Sequence, residues 1–238
     1  MSVLIVVSHP DDEVLGCGAT AVWMALQGIE VTSCILCGEA DIRHQRPELE
    51  ALQQDTQQAQ RILGLQPPIL GDFPNISFNT VPHVRMVQFI EAAIAKTRAQ
   101  VIFTHFPGDM NDDHRHTSTA CQAAARLFQR RKGFPPLSAL YYMEVLSSTD
   151  WAFPANGQPF TPDTFFPAAE TLDRKIAALE AYRGVMRDFP HPRSHEALRG
   201  LAAYRGGQSG LVYAEAFRTA FRRYEGVQQL DMLCRGIE

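Results

Sequence analysis

Five consecutive residues, His9-Pro10-Asp11-Asp12-Glu13, put an imidazole and three carboxylates at the end of the apolar run "SVLIVV". Carboxylates this close repel one another unless a positive charge holds them. A second polar cluster, "HFPGDMNDDHRH" (His105 to His116), follows the apolar run "VIF" further along the chain. Catalytic zinc is commonly held by three His and carboxylate ligands that leave one position open. His9 and Asp12 can point inward from one turn, and His114 can complete the set from the second cluster. Asp11 neighbours a ligand but projects differently, which suits a base acting on an attacking water. Glu13 and Asp113 are candidates to accept the outer N–H of the histidines. The spacing thus predicts one zinc (Zn2+) per chain on His9, Asp12 and His114, with Asp11 as base and no organic cofactor.

A plainer reading exists for each residue alone. Acidic side chains favour the positive end of a helix, so Asp11, Asp12 and Glu13 could simply start one. Pro10 could shape the turn, and His105 and His116 could be polar residues at a sheet rim. Two matching clusters favour the metal. Cys34 and Cys37, in "CILC", lie in a β-branched run with no second pair at zinc-ribbon spacing, so they read as buried strand residues.

The elements that must position these groups alternate. "SVLIVVS", "EVTSCILC", "VIFTH" and "ALYYMEVL" read as strands; 12–28, 47–64, 82–100 and 113–131 read as helices. Such alternation predicts an α/β, Rossmann-like fold, a mainly parallel sheet with helices on both faces. Ligands bind beyond the carboxyl ends of such strands, where both clusters fall. Residues 147–167 read as one long ordered loop, and 172–186 and 194–206 as helical. No boundary divides the chain, so 1–238 is expected to form a single domain.

The 238 residues carry a net charge of −4, without the basic surplus of a nucleic-acid binder. No stretch is long enough for a membrane span, and "MSVLIVV" is too short for a signal peptide. Five cysteines without a dense framework fit free thiols, and the expected location is cytoplasmic. The homo-oligomeric state is left open.

"SHPDDE" resembles the signature of the PIG-L/LmbE-like deacetylases, and "DMNDDHR" resembles their second motif, D-x-x-x-DH. "CGEA", "YYMEVLSSTDW", "KIAALEAYR" and "YAEAF" are also similar to family segments. The resemblance implies a Rossmann-like, zinc-dependent enzyme that removes the acetyl group from an N-acetylglucosamine-type amino sugar or its conjugate, a small-molecule partner. It implies ligands His9, Asp12 and His114 and base Asp11, the set that spacing selects. Many relatives have HPDH in the second motif, where the first histidine polarises the substrate carbonyl. Asn111 stands there instead, and is either an oxyanion donor or a turn residue. Asp55 stands near the place of a glutamate expected on the second helix.

Two rivals are a two-metal phosphoesterase of the DHH kind and a non-catalytic sugar- or nucleotide-binding module. "DDHRH" and the short "GCG" at Gly16–Gly18 fit neither well. "FTPDTFFP" and "FPHPRSHEALRG" are candidates for the substrate mouth. Arg193 and Arg205 could hold a phosphate or carboxylate on the sugar's partner group, although solvated surface arginines are the more frequent case.

Overall fold

The computed structural model describes residues 1–38, 49–153 and 159–224. Strand β1 (Ser2–Val7) is central, and Val3 to Val7 are fully buried. Its alternate side chains serve two cores. Val3, Ile5 and Val7 face one helical layer, and Leu4 and Val6 face the other. A strand buried on both faces reads as an unbroken apolar run, as here.

The chain continues through helix α1 (Asp12–Leu26), β2 (Glu30–Cys37), α2 (Leu49–Leu63), β3 (Ile69–Phe73), a 3-10 turn (Phe78–Thr80) and α3 (His83–Thr97). Then come β4 (Val101–His105), α4 (Asp112–Ala124), the short α5 (Leu127–Arg130), β5 (Ala139–Met143), β6 (Thr164–Pro167), α6 (Leu172–Glu180), α7 (His195–Ser209) and β7 (Ala214–Arg222). The seven strands lie in the order β3-β2-β1-β4-β5-β7-β6. The first five are mutually parallel, and β7 runs antiparallel to both of its neighbours. Helices α1, α2 and α6 pack together over one face, and α3 pairs with α4 over the other. The expected α/β sheet with helices on both faces is observed.

Strand order reverses between β1 and β4, because β2 and β3 lie on one side of β1 and β4 and β5 on the other. This switch point leaves a crevice at the carboxyl ends of β1 and β4. The segments after these two strands carry the two polar clusters.

Several expected boundaries need correction. The 147–167 loop contains the edge strand β6, which pairs with β7; residues 154–158 lie outside the described set. Neither β3 nor β7 was expected. The helix expected over 113–131 is interrupted after Ala124, and that over 172–186 ends at Glu180. The helix expected over 82–100 stops at Thr97, where Arg98 turns left-handed. The strand expected over 139–146 ends at Met143. The beginning of the 47–64 helix lies outside the described residues.

Helix α1, which carries Asp12 and Glu13, is anchored by a buried ion pair. Lys175 Nζ lies 2.6 Å from Glu215 Oε1 and donates to the Leu15 carbonyl at 2.7 Å. Glu215 accepts the N–H groups of Ala19 and Thr20 at 3.1 and 2.7 Å. The pair thus joins α6 and β7 to one turn of α1. Removing one charge leaves the other desolvated. Lys175→Met should therefore lower the unfolding free energy by about 3 kcal/mol in urea titration; a loss within about 0.5 kcal/mol, the range of an ordinary surface change, would contradict this anchoring role.

Candidate metal and catalytic site

The turn after β1 brings Ser8 to Asp12 under the end of β4. Asp11 caps α1 with φ 101°, a left-handed conformation rare for a residue with a side chain. Its carbonyl accepts the N–H groups of Val14 and Leu15 at 3.1 and 2.9 Å. Such backbone strain costs about 1–3 kcal/mol and gathers at functional sites.

Asp12 points back across the turn. Its Oδ2 accepts the His9 backbone N–H at 2.9 Å and lies 3.2 Å from His9 Nδ1. The same oxygen is 3.2 Å from His114 Nε2 and 3.6 Å from His105 Nε2. Ligand atoms of His9, Asp12 and His114 all lie within 4.8 Å of one another, and all three residues are buried. Among the described residues this is the one group of three that could hold a metal ion.

Each histidine of the trio is fixed from behind. His9 Nε2 lies 2.9 Å from Asp113 Oδ2, and Asp113 is itself held by the N–H groups of Ile76 and Phe78 at 2.7 and 3.0 Å. His114 Nδ1 lies 3.3 Å from Asp109 Oδ1. Asp109 also accepts Asn111 N–H at 2.8 Å, the Thr149 hydroxyl at 2.6 Å and the Ser148 hydroxyl. With their outer nitrogens so occupied, His9 Nδ1 and His114 Nε2 are left facing Asp12. This is how carboxylates fix the orientation of metal-binding imidazoles. The donor set therefore fits a divalent ion.

Electrostatics agree. Burial alone would raise the Asp12 carboxyl, but the His114 charge and hydrogen bonds from His114 and His9 hold it well below the usual carboxylate range. Burial would lower His114, yet Asp12 and Asp109 push it up to about 10. His105 goes the other way: burial, then repulsion from His114, brings it down to about 3. Its Nε2 accepts Ser8 N–H at 2.9 Å, and its neutral ring stacks on His114 with centroids 3.8 Å apart.

Other expectations fare differently. Glu13 does not meet a histidine. It accepts Asp11 N–H, Gln60 Nε2 and the Tyr182 hydroxyl, so its part is to fix the turn. Burial, reinforced by repulsion from Asp11 and Asp12, outweighs these donors and raises its pKa to about 8. Asn111 caps α4, its Oδ1 accepting Asp113 N–H at 3.0 Å, and it also lines the cleft. His116 lies outside the cleft lining, beside the exposed Asp112 at 3.4 Å. Asp55 pairs with Arg183. Arg205, one of the two arginines weighed as anion partners, is bound through two nitrogens to Glu144, both at 2.7 Å. The "TFFP" part of the expected mouth is the edge strand β6. Cys34, Cys37 and Cys121 are buried in the second core.

Arg193 reaches the site. It donates to Asp11 Oδ2 at 3.1 Å and, through Nε, to Ser147 Oγ at 2.7 Å. With Arg187, His191, Asp12, His114 and Asn111 it lines a cleft of about 260 Å³. Sequence reasoning assigned no role to Asp109, Ser148, Thr149 or Trp151. Asp109 stands within the second motif, and that position was the available signal.

The family model described as PIG-L, GlcNAc-PI de-N-acetylase, matches residues 4–125, which include both clusters. No curated protein matches the chain. Among solved structures, a conserved protein from Thermus thermophilus is similar with TM-score 0.75 and 24% identity, covering 94% of this chain and 96% of that one. The N,N'-diacetylchitobiose deacetylase from Pyrococcus horikoshii is similar with TM-score 0.71 and 18% identity, covering 92% and 83%. GalB, the 4-carboxy-2-hydroxymuconate hydratase from Pseudomonas putida, is similar with TM-score 0.75 and 21% identity, covering 94% and 98%. At these identities the likeness shows a shared fold. On the match of the family model across half its length, the chain belongs to the PIG-L, GlcNAc-PI de-N-acetylase family.

Proposed function

We propose that the protein is a zinc-dependent N-deacetylase that hydrolyses the acetamido group of an N-acetylglucosamine-type amino sugar or its conjugate. The observation that carries this reading is the buried convergence of His9, Asp12 and His114 beside Asp11, in a chain of this family. The deacetylase name of the Pyrococcus horikoshii neighbour supports it. A single group of three possible ligands among the described residues favours one ion over the two of a phosphoesterase.

His9, Asp12 and His114 would hold the zinc, which supplies Lewis acidity at the acetyl carbonyl and makes water acidic enough to attack near neutral pH. Asp109 and Asp113 keep the two imidazoles oriented. Asp11, aimed by Arg193, accepts a proton from the attacking water and returns it to the departing amine. Asn111 uses its carbonyl oxygen as the α4 cap, which leaves its amide N–H groups for the oxyanion that develops in the cleft. Acetate and a free amino sugar are the products.

The assay is acetate release from a panel of N-acetyl amino sugars and conjugates, abolished by a chelator and restored by zinc. Release of acetate from none of them would contradict the proposal. Asp11→Asn should retain fold and metal while kcat falls about a hundredfold or more; near-normal kcat would place the base elsewhere. Asn111→Ala should reduce kcat by about 10²–10³ with zinc content unchanged. The lost cap should also lower stability by about 1 kcal/mol. Full activity in that variant would assign the oxyanion donor to another residue.

Metal binding should also depend on pH. In the metal-free protein the His114 proton, with a pKa of about 10, competes with the ion, so affinity rises as pH climbs toward that value. Calorimetry at pH 7 in buffers of different ionisation enthalpy should register about one proton released per ion from this site. Binding without proton release would show that His114 is already neutral before the ion arrives.

A further inference from the structure

Asp11 is held in a conformation that a residue with a side chain rarely adopts. Its φ is 101°, and such a backbone persists only where the surroundings determine it from several sides. Arg193 holds the carboxylate, and the first turn of α1 holds the carbonyl through Val14 and Leu15 N–H. On the remaining side, Asp11 N–H donates to Glu13 Oε2 at 3.1 Å. The backbone of the base is therefore only as well placed as the Glu13 carboxylate.

Glu13 is in turn held by two residues distant in sequence. The Tyr182 hydroxyl donates to its Oε1 at 2.6 Å, and Gln60 Nε2 donates to the same oxygen at 3.0 Å. Ser33 Oγ, in β2, donates to Gln60 Oε1 at 2.9 Å, which turns the amide nitrogen toward Glu13. All four side chains are buried. The Tyr182 ring is part of the first core, and a phenylalanine ring would fill nearly the same space. Packing accounts for the ring; the hydroxyl adds the bond that reaches the turn.

We propose that Tyr182, together with Gln60, is a positioning residue for the base: through Glu13 it holds the Asp11 backbone so that the carboxylate meets the attacking water. This deepens the deacetylase reading and rests on it for the role of Asp11. The imidazole ligands are oriented separately, by Asp109 and Asp113. The packing of α2 and of the segment after α6 thus governs turnover rather than metal binding. A displacement of a reacting group by about 1 Å can cost on the order of a hundredfold in rate, so a loosened carboxylate is felt at the base.

The test compares the zinc-loaded parent with Tyr182→Phe, and with Gln60→Met as a second variant that removes the other donor. Each should lower kcat about tenfold or more, with KM within about twofold and zinc content unchanged. In an Asp11→Asn background, Tyr182→Phe should cost less than about twofold further, because it acts only through the base. Amide exchange followed by NMR supplies a readout that needs no substrate. Exchange at Asp11 should quicken about tenfold or more in Tyr182→Phe, while Val3 to Val7 of β1 exchange as in the parent. Parental kcat in both variants, an equal loss in the Asp11→Asn background, or unchanged exchange at Asp11 would overturn the inference. Local quickening at Asp11 in a protein that releases acetate from no sugar would count against the deacetylase reading and leave the hold of Tyr182 on Asp11 standing.

Discussion

Three imidazoles converge on one carboxylate oxygen, Asp12 Oδ2, and all four side chains are buried. A carboxylate in such surroundings is costly unless positive charge accompanies it. Without an ion the His114 imidazolium supplies that charge, held between Asp12 and Asp109. Ligand atoms of His9, Asp12 and His114 lie close enough together to hold a metal ion there. Much of the surrounding structure serves this one contact: Asp109 and Asp113 orient the imidazoles, Glu13 ties the turn, and the Lys175–Glu215 pair fixes the helix that carries Asp12.

The sheet supplies the meeting point. Because strand order reverses between β1 and β4, the segments after both strands enter one crevice despite their distance in sequence. Local pattern sufficed for this part. β1 and β4 are apolar runs, and polar clusters at their ends stand out against them. His9, Asp12, His114 and Asp113 were therefore legible as a group. Glu13 was misread because its partners, Gln60 and Tyr182, come from α2 and the segment after α6, which no spacing rule connects to residue 13.

The same limit explains the strands that were not anticipated. β3 reads "ILGDF", short and interrupted by Gly71, where a Cβ would stand 2.3 Å from the Leu36 carbonyl oxygen. The glycine is a packing requirement against β2, but in sequence it resembles a turn signal. β7 reads "AEAFRTAFR", with alanines and a buried Glu215 in place of large apolar residues. β6 ends on Pro167, tolerable because it is an edge strand. Arg193 contacts Asp11 across most of the chain's length, so that pairing was out of reach of any spacing rule, as was that of Arg205 with Glu144.

Neighbours named as a deacetylase and as a hydratase share this fold, so the fold by itself does not select the reaction. The reading depends on the ion at Asp12. Anomalous diffraction at the zinc edge, on crystals of the zinc-loaded protein, tests it most directly. The account predicts one peak at about 2.0–2.2 Å from His9 Nδ1, His114 Nε2 and an Asp12 carboxylate oxygen. No peak there, or zinc bound only at other residues, would contradict it.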